Sequence, residues 1–326
     1  MIEVIEAGTF TSVQDLGRSG WAAQGVPPGG AADPFALRVL NTLLGNPEAT
    51  PGLECTLRGP VLRCLDDTVL AIGGAEVPGW PGLRRRQVAA GEQIDLSQLS
   101  GGARLYVAFA GGLALPTVLG SASMLPRSGW PGLAGRALRA GDRLACGSAA
   151  GATGSVVSKP VHSVRAWSAS PALLPAGPPA GGLRPVRALA GPQSEWFGED
   201  GMRAFFAAEF RVNPRSDRMG VRLEGAAVRL PSPRELISEA VAFGSVQVPP
   251  DGQPIVLLAD RPTLGGYPKI AQVITADRGV VAQLRPGDRV RFVPVTLAEA
   301  HAALRRREAA LAQLRQGVVM AEERSC

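Results

Sequence analysis

The sequence predicts a mainly-β chain of two related, barrel-like domains with a few short helices and a C-terminal helix. Three observations lead there. Aromatic residues make up only 5% of the 326 positions, while 41 glycines and 28 prolines supply turn residues in excess of what a helical bundle uses. Most apolar segments are short, alternating or continuous runs bounded by Gly, Pro and Asp: "PVLRCLDDTVLAIGG", "ARLYVAFAGG", "QPIVLLAD" and "RVRFVPV". Finally, "LRAGDRL" at 138–144 returns as "LRPGDRV" at 284–290, with a weaker echo, "AAGEQI", at 89–94, and "TLRGPVLR" at 56–63 resembles "RLEGAAVRL" at 222–230. Two landmarks in the same order imply a duplicated unit.

Three helices interrupt the strands. "DPFALRVLNTLLGN" places Asp33 as N-cap, Pro34 at the first helical position and Gly45 just past the end, with Ala36, Val39, Leu40, Leu43 and Leu44 as its buried stripe. "EDGMRAFFAAEF" around 199–210 faces inward through Met202, Phe205 and Phe206. The third opens on a Thr296…Glu299 capping box, carries a seam of Leu297, Ala300, Leu304, Leu311 and Leu314 interrupted by Arg307, and is expected to close at Gly317. Between the halves, 147–182 is rich in Gly, Ala, Ser and Pro and reads as a linker, with "VHSVRAW" a strand candidate inside it. The expected domains are 1–146, a linker over 147–184, a second domain at 185–295, and the helix and tail at 296–326.

Composition removes several function classes. The formal net charge is +6, but the basic residues are dispersed. The knots Arg84-Arg85-Arg86 and Arg305-Arg306-Arg307 have no interleaved aromatics, so nucleic-acid binding is not expected. No signal-type or membrane-length apolar run occurs, and the four cysteines form no CxxC pair, which fits a reducing cytoplasm. Cys55 and Cys64 read as small core residues. Only two histidines exist, His162 in the linker and His301 on a helix, so a catalytic triad or a His-rich metal site is not expected. GxxxxGK[ST], GxSxG and a Met-Lys-Met biotin-attachment triplet are all missing.

Polar residues concentrate in the second half. "NPRSDRMGVRLEG" presents Ser216, Asp217 and Arg218. "LISEAVAFGSVQVPPDGQP" adds Ser238, Glu239, Gln247 and an Asp251-Gly252 β-turn. "LLADRPTLGGYPKIAQV" offers Asp260, Arg261, Thr263, Gly265, Gly266, Tyr267 and Lys269. Asp217 capping its own turn, with Arg218 paired locally, is one reading of the first segment. Gly265-Gly266 is expected to supply positive φ. An anion- or amide-binding pocket is the other reading: guanidinium forks match carboxylate or phosphate, and backbone amides at glycine approach a ligand closely. In the first half, "LYVAFAGGLALPTVLG" has the apolar strand and the Gly pair without Asp-Arg or Tyr-Pro-Lys. The glycine-rich "TFTSVQDLGRSGWAAQGVPPGGAADPFA" is a second anion candidate at a helix start, although Asp33 as that helix's own cap is the simpler reading.

"VQDLGRSGWAAQGVPPGGAADPFALRVLNTLLGN", "SDRMGVRLEG" and "PPDGQPIVLLADRPTLGGYPKIAQV" together resemble the allophanate-hydrolase-subunit-2 group, also described as biotin-dependent carboxyltransferases or as the C-subunit type of 5-oxoprolinase. The match runs in order from about Ile2 to Val295. The resemblance implies cyclophilin-like β-barrel domains, a subunit-1 or subunit-B-type partner, and one of three activities. The first is ATP-dependent opening of the lactam 5-oxoproline to glutamate with a third subunit, ATP being shared with the partner. The second is carboxyl transfer from carboxybiotin to urea or a related amide, and the third is regulation of a histidine kinase. The first is preferred, because a free-standing chain without biotin machinery fits it better; alone, the chain is expected to be inactive.

Carried onto matching positions, the resemblance marks Ser216, Asp217 and Arg218 of "SDRMG", and Asp260, Arg261, Thr263, Gly265, Gly266 and Tyr267 of "DR-x-T-x-GGYP"; Lys269 follows directly. Arg218, Arg261 and Lys269 are expected to hold carboxylate or phosphate. Asp217 and Asp260 would orient donors or move a proton, with Tyr267 as a wall. The catalytic set is then Asp217, Arg218 and Asp260, and no metal is expected. One departure stands out: the family's "GSRST" turn reads "GSASM" here, with Ala122-Ser123-Met124 for Arg-Ser-Thr and Arg127 as the nearby replacement.

Overall fold

A computed structural model describes residues 1–147, 168–174, 182–232 and 234–323. His162, the "VHSVRAW" strand candidate and most of the expected linker lie outside the described residues. By contacts the chain divides into two units, the first drawn from Met1–Arg18, Asp33–Ala176 and Glu308–Cys326, the second from Ser19–Ala32 and Gly177–Arg307. The glycine-rich segment after Arg18 therefore belongs with the second half of the sequence.

The described residues of the first unit hold nine strands: β1 (Ile2–Glu6), β2 (Phe10–Gln14), β3 (Gly52–Thr56), β4 (Val61–Cys64), β5 (Thr68–Glu76), β6 (Arg86–Val88), β7 (Gln93–Asp95), β8 (Ser100–Phe109) and β9 (Arg143–Leu144). They stand in a four-stranded sheet, β7-β4-β1-β9, and a five-stranded one, β2-β3-β8-β5-β6. Central β8 is buried over its last eight residues, as a strand covered on both faces must be. Helix α1 (Pro34–Leu43) lies against this sheet. It starts as its sequence dictates: the Asp33 carboxylate accepts a bond from the Ala36 amide at 3.1 Å, and Pro34 occupies the first turn. Gly45, at φ 72°, follows its end. Cys55 and Cys64 are free thiols in the core, and burial pushes Cys55 up to about 12 and Cys64 up to about 11, so neither is a reactive thiolate.

The second unit contains β10 (Leu183–Ala190), β11 (Phe210–Val212), β12 (Gly220–Glu224), β13 (Glu239–Ala240), β14 (Ser245–Gln247), β15 (Ile255–Leu257), β16 (Leu264–Gly265), β17 (Lys269–Val273) and β18 (Arg289–Pro294). Seven of them close a barrel in the order β10-β17-β14-β15-β12-β11-β18, sealed by parallel pairing of β10 with β18. Alternation sets the facing: Val290 and Phe292 of β18 point into the core while Arg289 and Arg291 are exposed. Helix α2 (Gly198–Ala207) buries Phe205, which stacks on Phe292 at 4.7 Å between ring centroids and also meets Phe210. The pair β13-β16 forms a separate ribbon, and a helix too short to be read from periodicity, α3 (Arg278–Ala282), follows β17.

Helix α4 (Leu297–Glu323) begins on the expected box: Thr296 Oγ1 accepts from the Glu299 amide, and the Glu299 carboxylate accepts from the Thr296 amide at 2.7 Å. Its end differs from expectation. The helix passes through Gly317 to Glu323, because Val318 is buried one residue beyond and packing outweighs the roughly 1 kcal/mol that glycine costs in a helix interior. The buried seam is Ala300, Ala303, Leu311, Leu314 and Val318, whereas Leu297 is exposed. No described helix is long and apolar enough to cross a membrane.

The repeated landmark is a turn. In "LRAGDRL" the Asp142 carboxylate accepts from the Arg139 amide, Gly141 sits at φ 85°, and Gly141 and Asp142 exchange backbone bonds with Val4. In "LRPGDRV" Asp288, Arg285, Gly287 (φ 91°) and Val212 do the same. So do Glu92, Ala89, Gly91 (φ 85°) and Cys64 in "AAGEQI". One acid three residues on, capping a turn that needs left-handed glycine, accounts for all three. The strands around it are arranged differently, as two sheets in the first unit and a closed barrel in the second.

Candidate functional site

The pairing of β12 with β15 positions the central ion pair. Their register sets Gly220 opposite Leu257. Beyond the sheet, the Leu258 amide still bonds the Met219 carbonyl, and the Asp260 amide bonds the Arg218 carbonyl, each at 2.9 Å. Residues 218 and 260, 42 apart in sequence, thus face each other. Arg218 donates to the Asp260 carboxylate through Nε at 2.9 Å and Nη2 at 3.0 Å, a two-pronged contact with both side chains 7% exposed. Arg218 Nη2 also donates to the Gly30 carbonyl at 2.7 Å, where Gly29 and Gly30 have φ of 62° and 88°. The glycine-rich motif, "SDRMG" and the Asp-Arg motif therefore meet at one guanidinium.

The preceding residues serve their own turn. Asp217 accepts from the Met219 and Gly220 amides at 2.8 and 3.2 Å, and Ser216 Oγ bridges the Asn213 carbonyl and the Arg222 amide. Asp217 capping is thus as expected, but Arg218 pairs with a residue beyond the neighbouring strand rather than within its own turn. Asp251-Gly252 is a turn, with Gly252 at φ 78° and its amide bonded to the Pro249 carbonyl.

The remaining residues gather on the stretch 239–241. Lys269, 3% exposed at the start of β17, donates to the Glu239 carboxylate, which also accepts from Gln193 Nε2 at 2.7 Å. Those bonds, Lys269 first, hold the Glu239 carboxyl below its ordinary range. Gln193 Oε1 in turn accepts from the Lys269 amide. Val241 gives its amide to the Thr263 carbonyl and takes Arg261 Nε on its own carbonyl at 3.3 Å; Arg261 Nη1 donates to the Leu258 carbonyl at 3.3 Å. Arg261 therefore touches carbonyls where Arg218 and Lys269 hold carboxylates. Tyr267 is 45% exposed beside this ribbon.

Gly265 and Gly266 do not have positive φ, contrary to the expectation. Their need is space: a Cβ on Gly265 would stand 2.5 Å from Gln247 Nε2 and 3.0 Å from Val241 Cγ1, and one on Gly266 3.3 Å from Ser238 Oγ. The first-half pair differs, since Gly111 and Gly112 have φ of 76° and 74°. Gly265→Ala is expected to cost about 1 kcal/mol, since Gln247 Nε2, the end of a flexible side chain, must swing aside and Val241 Cγ1 must give, read as a lower denaturant midpoint. An unchanged midpoint would contradict the close-approach account.

The departing "GSASM" turn lies in the first unit, tied to Asp15 of the "VQDLGRSG" motif. The buried Asp15 carboxylate accepts from the Gly17 and Ala122 amides at 2.7 Å each, and from Ser121 and Ser123 Oγ at 2.7 and 2.5 Å. Arg18 Nη2 donates to the Ser123 carbonyl at 2.6 Å. The serines are the anchors, Ala122 and Met124 are buried, and Arg127 is exposed on the following turn.

Sequence reasoning missed Gln193, marked Gly30 only as a glycine of the glycine-rich motif, and placed Glu239 only in the general polar density. The carboxylates around the ribbon are paired: Asp260 with Arg218, Glu239 with Lys269, and Asp277 with Arg187. Among the described residues no group of three or more His, Cys, Asp or Glu converges on a metal-sized space.

The polar motifs thus converge on the β12–β15 edge of a closed barrel and on the ribbon beside it. The chain belongs to the family described as carboxyltransferase domain, subdomain A and B, whose model matches residues 24–294. It is 37% identical over 324 residues to the C subunit of 5-oxoprolinase from Haemophilus influenzae, covering 97% of this chain and 98% of that one. The corresponding figure for the C subunit of the Escherichia coli 5-oxoprolinase is 36% over 307 residues, covering 92% and 93%. Among solved structures, the urea carboxylase of Kluyveromyces lactis superposes with a TM-score of 0.88 at 29% identity, covering 97% of this chain and 29% of that one.

Proposed function

We propose that this chain is one component of an ATP-dependent 5-oxoprolinase. It acts with a subunit-B-type partner to activate 5-oxoproline for ring opening to glutamate, and a third protein of the assembly finishes the hydrolysis. Likeness over nearly full length to two proteins named as the C subunit of 5-oxoprolinase supports the reading. The observation that carries it is Arg261. Of the three sequence-selected cations, it alone lacks a carboxylate partner among the described residues. 5-Oxoproline brings a carboxylate to such a group; urea brings none.

On this reading the Arg218–Asp260 pair fixes the Asp-Arg loop, and Lys269 with Gln193 fixes Glu239 and the ribbon. Arg261 then receives the substrate carboxylate, and Tyr267 flanks the lactam. The lactam is a poor electrophile, so its carbonyl requires activation before water can open it. ATP, which supplies that activation, belongs to the assembled enzyme rather than to this chain alone.

Arg261→Gln in the assembled enzyme is expected to raise KM for 5-oxoproline by about 10- to 100-fold, the loss of a charged hydrogen-bonding contact. An unchanged KM would remove Arg261 from substrate binding. The likeness to urea carboxylase supports a second reading, carboxyl transfer from a biotin-carrying partner to urea. Urea-dependent consumption of carboxybiotin, without 5-oxoproline turnover, would select it.

A further inference from the structure

The second unit contains the tripeptide Ala-Asp-Arg twice, at 259–261 and 276–278. The two copies are used alike. In each, the aspartate turns to a distant arginine: Asp260 takes Arg218, and Asp277 takes the Arg187 amide, Nε and Nη2 at 2.9, 3.0 and 2.5 Å. In each, the arginine lies on one aromatic ring, Phe243, with Arg261 Cζ 5.9 Å and Arg278 Cζ 4.9 Å from its centroid.

Two like charges on one ring, both half-buried, are an unfavourable arrangement that a bound anion would relieve. The acids preceding both arginines are already engaged, and among the described residues no carboxylate pairs with Arg261 or Arg278. Arg278 Nε is buried with no hydrogen-bond partner. Burial, and for Arg261 also the Arg278 charge, lowers both arginines, Arg261 to about 10. A carboxylate bound beside them would accept charge-assisted hydrogen bonds from protonated guanidinia already gathered at one ring.

We infer that Arg261 and Arg278, set on Phe243, form a carboxylate clamp, and that Arg278 is a specificity-determining residue selecting carboxylate-bearing lactams over neutral amides. The clamp rests on the 5-oxoprolinase reading for its natural ligand but not for its anion chemistry. A neutral amide gains only a hydrogen bond to its carbonyl from the second guanidinium, whereas a carboxylate also gains charge pairing with both.

The test uses the full chain and follows arginine side-chain Nε–Hε resonances during titration with 5-oxoproline, acetate, 2-pyrrolidinone and urea. Arg261 and Arg278 signals are expected to shift with 5-oxoproline and, more weakly, with acetate, but not with 2-pyrrolidinone or urea. Arg278→Gln should weaken 5-oxoproline binding by about 10- to 100-fold, with Arg278→Lys intermediate and the fold intact by circular dichroism. In the assembled enzyme the Gln variant should raise KM more than it lowers kcat. Carboxylate-dependent shifts without 5-oxoproline turnover by the complete enzyme would keep the clamp and sink the functional reading. Turnover with KM unchanged in Arg278→Gln, or equal shifts with 2-pyrrolidinone, would overturn the clamp.

Discussion

Arg218→Ala is expected to lower the unfolding free energy by about 3–5 kcal/mol, because it strands the Asp260 carboxylate in a buried position and removes the donor to the Gly30 carbonyl. Asp260→Ala should cost a similar amount by leaving the buried guanidinium without its carboxylate. The paired replacement Arg218→Met with Asp260→Leu should recover most of the loss, since two apolar side chains avoid the desolvation that both ions incur. Denaturant midpoints of the three variants decide it. A single-variant shift below about 1 kcal/mol would mean that water reaches the pair and screens it. Arg218 and Asp260 are consequently poor probes of chemistry, since lost turnover in either variant would follow from a collapsed loop as readily as from a missing functional group.

The second large effect belongs to Asp15. Its carboxylate accepts four bonds, from two backbone amides and two serine hydroxyls, and Ser123 Oγ also receives the Asp15 amide at 2.9 Å. Asp15→Ala removes every one of these acceptors from a buried site and should cost on the order of 3 kcal/mol, with Asp15→Asn retaining part because its single carbonyl serves only some donors. Hydrogen exchange at the Gly17 and Ala122 amides should accelerate in step. Unchanged protection at Ala122 would show that the 120–124 turn stands without Asp15. The same network explains why "GSASM" is tolerated: Ser121 and Ser123 carry the hydrogen bonds that fix the turn, while position 122 is linked to Asp15 through its backbone amide, which alanine also supplies.

Features governed by neighbours in sequence are legible from the residues. Asp33, Pro34 and Gly45 set the ends of α1; Thr296 and Glu299 open α4; Asp251-Gly252 makes its turn. Each is decided within four residues, where backbone geometry leaves few options. Arg218 with Asp260, by contrast, depends on the register of two strands that bring together residues 42 apart, and no local rule could choose Asp260 over Asp217 as its partner. Gly265-Gly266 reads as a conformational need and is a steric one, because what a glycine accommodates is set by the barrel around it. The second Ala-Asp-Arg is plain in the sequence. It escapes notice there because Arg278 opens a five-residue helix with no periodic signature, and because Phe243, which joins the two copies, is distant in sequence from both arginines.

On the proposed function this family member serves 5-oxoproline opening rather than carboxyl transfer to urea, and glutamate release from 5-oxoproline by the chain co-purified with its subunit-B-type partner and the third protein of the assembly measures this most directly. Release should require ATP, stop when this chain is omitted, and fall at limiting 5-oxoproline when Arg261 is replaced by Gln. No release from the complete set, with carboxylation of urea by this chain and a biotin-carrying partner, would contradict the claim.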